Sequence, residues 1–137
     1  HFKNNLKDTL KLIHLIGTYE KADIMTFEKC FKDEDDIVKL MFLLKKYNVL
    51  DSKGQFKAKI GYLSILICKL SKLGIILPLE SNLELLHEKF QERFKTFAIK
   101  TLYDVRKEFY DKESVPRPLL QQKFDSFYYL DELNRLN

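Results

Sequence analysis

Hydrophobic positions in this chain recur at three- and four-residue steps, the period that gathers side chains on one side of an α-helix. The densest case is Ile60 to Leu77, IGYLSILICKLSKLGIIL, where Leu63, Leu66, Ile67, Leu70 and Leu73 form a stripe. Ile65 and Cys68 widen that stripe until little more than Ser64, Lys69, Ser71 and Lys72 is left to meet water. Such a helix must be covered nearly all round, so it is expected to be the central core helix. Lys69 and Lys72 interrupt the run, whereas a membrane span needs about twenty unbroken apolar residues.

Shorter amphipathic stretches surround it. Leu6, Leu10, Ile13 and Ile16 predict a helix from Asn4 to Ile16, with Gly17 as a left-handed stop. From Thr18 to Lys32 the pattern is ambiguous; Ile24, Phe27 and Phe31 fit a short helix capped by Thr26. Asp33 to Asp36 immediately precede the stripe Ile37, Leu40, Met41, Leu44 and Tyr47. Carboxylates in a first helical turn offset its dipole by roughly 0.3 to 1 kcal/mol each. Four adjacent acids also raise a divalent-metal reading, but no DxDxDG loop accompanies them. Asp51 to Gly54 make a turn.

A weak internal repeat links these segments. Ile37, Leu40, Met41, Leu44 and Asn48 recur as Leu63, Leu66, Ile67, Leu70 and Gly74 at a constant offset of 26, each copy followed by an apolar pair. Either duplication or a shared helix-capping template accounts for this.

After Pro78, Ser81 and Glu84 form an S-x-x-E capping box, predicting a helix from Asn82 that buries Leu83, Leu86, Phe90 and Phe94. His87 is expected at its surface or boundary. A break near Lys95 and Thr96 leads to a second helix, from Phe97 to Tyr110. Val115, Pro116, Arg117 and Pro118 are an irregular link, because two prolines one residue apart cannot propagate a helix interior. A last helical region, about Leu119 to Leu136, is expected to dock through Phe124, Phe127, Tyr128, Leu130, Leu133 and Leu136. The fold class is therefore all-α: a bundle of five to seven helices in a single domain over 1–137, with sub-units 1–57 and 58–137 and a helix-turn-helix-like pair in the second half.

At 137 residues, 45% hydrophobic and 32% charged, the chain can bury an adequate core without metal or disulfide. Cys30 and Cys68 both fall in apolar-patterned stretches without ligand spacing, which suits packed thiols in a reducing compartment. With no visible signal peptide, transit peptide or lipidation box, the expected location is cytoplasmic. Nothing resembles a nucleophile elbow, a phosphate-binding glycine loop, a zinc-ligand set or a dinucleotide fingerprint, so neither an enzyme nor a cofactor is expected.

The candidate site is the helix pair between Asn82 and Tyr110, which has the order of a helix-turn-helix. Lys95, Lys100, Thr101, Asp104, Arg106 and Lys107, followed by Lys112 and Arg117, would form its exposed polar set. Of these, Lys95, Lys100, Thr101, Arg106, Lys107, Lys112 and Arg117 are the expected contacts to double-stranded DNA. Lys95 to Lys123 holds seven basic and four acidic residues, enough for a few phosphate contacts. Alternatively this is a solvated face, with Asp104, Glu108 and Asp111 pairing with Lys100 and Lys107.

LSILICKLSKLGII (Leu63 to Ile76), SNLELLHEKF (Ser81 to Phe90) and IKTLYDVRKEF (Ile99 to Phe109) together are similar to the C-terminal part of RteC-type proteins, helical regulators of Bacteroidota conjugative transposons. The resemblance covers about 50 residues and implies a DNA-binding regulator carried on a mobile element. The family's basic run after the last helix is matched only by Arg106, Lys107 and Lys112, and Glu113 to Pro118 departs from it. The rival expectation is a helical protein-interaction module, such as an inhibitor of a host or defence protein, with exposed aromatic anchors around Phe124 to Tyr129.

Overall fold

A computed structural model describes residues 25–58, 60–95 and 99–135, and the helix expected over Asn4 to Ile16 lies outside them. The described chain is all-α: α1 (Asp35–Lys46), α2 (Ile60–Lys72), α3 (Leu79–Phe94), α4 (Ile99–Tyr110) and α5 (Pro118–Asp125), with 3₁₀ turns at Glu28–Cys30 and Tyr128–Leu133. Two isolated antiparallel bridges, Phe31 with Ile76 and Leu50 with Phe56, are the extended pairings among the described residues.

Helix α2 is the organising rod that its sequence predicts. All eight residues from Leu63 to Leu70 are buried, and α3, α4 and α5 all pack against it. The expectation that Ser64 and Lys69 meet water fails. Both are buried, at 1% and 7% exposure. Lys69 is tolerated there because its ammonium lies 2.7 Å from the Asp131 carboxylate and 4.7 Å from the centre of the Phe124 ring.

The ends of α1 and α2 share one cap, which accounts for the end of the 26-residue repeat. Val49 N–H donates to Leu44 O and Asn48 N–H to Lys45 O; in the same register, Ile75 N–H donates to Leu70 O and Gly74 N–H to Ser71 O. Asn48 (φ 65°) and Gly74 (φ 73°) supply the left-handed residue each time. This six-to-one and five-to-two pattern is a Schellman cap, which needs one residue at positive φ and then releases an extended chain. The apolar pair after each cap turns inward, and Leu50 and Ile76 then make the two bridges.

The four acids at the start of α1, Asp33 and Glu34 before it and Asp35 and Asp36 in its first turn, do more than offset its dipole. Asp33 Oδ1 accepts from Asp35 N–H at 2.9 Å, while Asp33 and Asp36 together grip Arg135 at 2.8–2.9 Å. Asp36 is buried, so the chain's own guanidinium occupies the place that a metal reading would give to an ion. No cluster of three or more His, Cys, Asp or Glu suited to a metal occurs among the described residues. Arg135 N–H also donates to Leu73 O, so the C-terminal arm ties α1 to the end of α2.

The last helical region divides at Ser126: α5 ends there and a 3₁₀ turn follows, burying Phe127, Leu130 and Leu133. Pro118 is the first residue of α5, where its missing N–H costs nothing. Thr26 Oγ1 accepts from Lys29 N–H at 3.3 Å beside the first 3₁₀ turn, and Phe27 and Phe31 pack edge-on at 5.1 Å. Cys30 and Cys68 are free and buried. Burial pushes their thiols up to about 11 and about 12. No helix among the described residues is long and apolar enough to cross a membrane.

Candidate functional site: the groove between helices α3 and α4

Helix α3 starts three residues earlier than its sequence predicts, and the reason lies in α2. Ser71 Oγ accepts from Leu79 N–H at 2.7 Å, so the N-terminal cap comes from eight residues upstream rather than from Ser81. Asn82 then breaks the helical path (φ −130°, ψ 28°), with its side-chain amide donating to Pro78 O at 2.9 Å. The carboxylate of Glu84, expected to complete a capping box, instead accepts from Tyr103 O–H at 3.1 Å. The same Ser71 hydroxyl lies 2.6 Å from Tyr110 Oη, which anchors the far end of α4. Burial pushes the Tyr110 phenol up to about 12. One hydroxyl on the core helix thus fixes the start of α3 against the end of α4.

His87, expected at the surface or boundary of the helix, is buried; desolvation holds its imidazole below the ordinary histidine value. The break after α3 is confirmed at Lys95, which takes a left-handed φ of 60° and donates its N–H to Gln91 O at 2.8 Å.

Between the first turn of α3 and the outer side of α4 run two adjoining depressions of about 360 and 630 Å³. Tyr103 and Arg106 line both. Glu84 borders the first, and Glu80, Asp104, Lys107 and Asp111 border the second. Arg106 is half-buried: it reaches Glu80 O at 3.4 Å and its guanidinium lies 5.4 Å from the centre of the Tyr103 ring.

The expected basic contacts do not share one condition. Lys95, Lys100, Lys107 and Lys112 are exposed, whereas Thr101 and Arg106 are half-buried. Arg117 is exposed but grips Glu108 through two side-chain bonds of 2.9 Å, and its backbone N–H adds a third to the same carboxylate at 3.0 Å. This bidentate grip holds the Glu108 carboxyl below its ordinary value. Glu108 therefore pairs with Arg117 rather than with Lys107, and Asp111 is used locally, accepting from Glu113 N–H at 3.0 Å.

Sequence reasoning missed Glu80, Glu84 and Tyr103 as parts of one site. Glu80 and Glu84 are one turn apart, which places them on a common side of a helix, but only the register of α3 against α4 brings them to Tyr103 and Arg106. No family model, curated protein or solved structure matches the chain.

The aromatic cluster expected around Phe124 to Tyr129 is largely internal. Phe124 stacks on Phe109 at 4.9 Å, Tyr129 stacks on Tyr47 at 3.8 Å, and Phe127 is buried. Tyr128 is the exposed member.

Proposed function

We propose that the protein acts by binding another protein, taking a segment that carries Arg or Lys into the groove between α3 and α4. The observation that carries this reading is the rim: Glu80, Glu84, Asp104 and Asp111 outnumber Arg106 and Lys107. A chain of net charge +4 thus presents a locally acidic groove. Carboxylates around a cleft attract a cationic side chain and repel phosphate. Tyr103 and Arg106, with the guanidinium over the tyrosine ring at the centre, are the residue types that dominate protein interfaces.

A second reading, duplex-DNA binding by a regulator encoded on a mobile element, draws support from Lys95, Lys100, Lys107 and Lys112, which are exposed along the same stretch. The two readings require opposite things of Asp104 and Lys107.

The deciding measurement is fluorescence anisotropy with two labelled probes at low salt, an Arg- and Leu-containing helical peptide and a 25-base-pair duplex. The protein reading expects the peptide to bind, and Glu80→Gln with Asp104→Asn to weaken it about tenfold, about 1.4 kcal/mol. Arg106→Ala with Lys107→Ala would leave peptide binding intact or tighten it. Duplex binding that falls steeply with salt and is lost in the Arg106 and Lys107 double variant would replace the protein reading with the DNA one.

A further inference from the structure

Helix α1 has a second side that the bundle does not use. Leu40, Leu43 and Leu44 face the core, but Val38 and Phe42, one turn apart on the opposite side, are 74% and 64% exposed. Isolated exposed hydrophobes are ordinary, whereas a pair on one helical face is the form an interface takes.

The charges around this pair follow a rule. Glu34 and Asp35 lie at the start of the face, Lys45 and Lys46 at its end, and all four are exposed. At 100° per residue, positions 34, 35, 38, 42, 45 and 46 fall within an arc of about 120°. Glu34 with Lys46, Asp35 with Lys45, and Val38 with Phe42 all share one midpoint, Leu40. Among the described residues, neither Glu34 nor Asp35 enters an ion pair with Lys45 or Lys46.

A two-fold axis through that midpoint would turn the face onto itself with every acid over a base and Val38 over Phe42. An isologous contact demands this kind of self-complementarity. We propose that α1 is a homodimer interface, in which two copies of the chain pair their α1 helices antiparallel. The contact leaves the groove between α3 and α4 outside the paired face, so one dimer would carry two copies of that groove. One helix face covers less than the roughly 800 Å² per partner of a stable interface, so the dimer is a weak one, with a Kd of about 10 to 100 µM.

Sedimentation equilibrium across a concentration series up to about 1 mM tests this. The wild-type chain is expected to dimerise, more weakly as salt rises, and Phe42→Ser is expected to raise Kd at least tenfold. Phe42 is exposed, so this change leaves the fold in place, which far-UV circular dichroism would verify. The sharper arm uses a pair of charge variants. Lys45→Glu with Lys46→Glu gives an all-acidic rim, and Glu34→Lys with Asp35→Lys an all-basic one. Each alone should be monomeric, and an equimolar mixture should form a heterodimer. A wild-type chain that stays monomeric to about 1 mM overturns the proposal, as does a dimer that Phe42→Ser leaves intact or a mixture that does not associate.

Discussion

Helices α1 and α2 are nearly matched in length and end in the same Schellman cap 26 residues apart, yet they live in different surroundings. On α2 every side chain from Leu63 to Leu70 is buried, including a serine and a lysine; on α1 only one side is, and a phenylalanine stands in solvent. The cap depends on a few neighbouring residues and so recurs wherever those residues recur. Burial depends on what the rest of the chain brings to each side. Three helices pack on α2, whereas the main helical neighbour of α1 is the C-terminal 3₁₀ turn. Local chemistry shapes how a helix ends, and the number of neighbours decides what its faces do.

The largest expected contrast is in packing. Leu66→Ala, at a fully buried position, should cost about 2 to 5 kcal/mol in a denaturant melt, while Phe42→Ser should stay within about 0.5 kcal/mol. Equal losses at the two sites would show that the outer side of α1 is covered in the folded protein.

The second contrast is in pH. Cys68 on α2, with Cys30, Tyr110 and Tyr129, is held protonated by burial, with folded values of about 11 to 12. Raised folded values mean that the unfolded chain loses these protons first. Their contribution is complete below about pH 9 and declines as pH rises through the folded values. His87 has the opposite sign: its lowered value makes its contribution complete above about 6.5 and lost as pH falls. Thermal melts from pH 5 to 11 should trace a plateau between these limits. A thiol reagent should leave both cysteines unmodified at pH 8 until the chain unfolds.

Next in size is the buried lysine that α1 lacks. Asp131→Ala removes the carboxylate from Lys69 and should cost about 1 to 2 kcal/mol, less than a fully buried pair because Asp131 is solvent-exposed. Lys69→Met should be milder, within about 1 kcal/mol, since it removes the charge along with the need for a partner. If Lys69→Met proves the worse of the two, the ammonium has a stabilising role beyond that pair.

The smallest effects belong to the shared caps. Gly74→Ala forces a β-carbon into left-handed backbone and should cost about 1 kcal/mol, whereas Asn48→Gly should stabilise by a few tenths. Both can be read from chemical denaturation. Similar penalties at the two sites would mean that the caps are not equivalent in the way their hydrogen bonds suggest.

Much of this molecule was legible in the chain. The spacing of Leu63, Leu66, Ile67 and Leu70 predicts the central rod, Asn48 and Gly74 predict the stops, and the prolines at 116 and 118 predict the link before the last helix, which begins one residue earlier than expected, at Pro118 itself. Each is a matter of a few adjacent residues obeying helical periodicity and backbone sterics. What the sequence could not disclose is which distant groups would meet. Ser71 capping α3, Arg135 gripping Asp36 from 99 residues away, and Glu84 receiving the Tyr103 hydroxyl all depend on how the helices cross. The character of the groove follows from the same cause. Read along the chain, Lys95 to Lys123 is a basic stretch. Once α3 lays Glu80 and Glu84 beside α4, and Arg117 folds back on Glu108, the rim of the groove carries more acid than base. Charges act through space, and only the packed structure sets those distances.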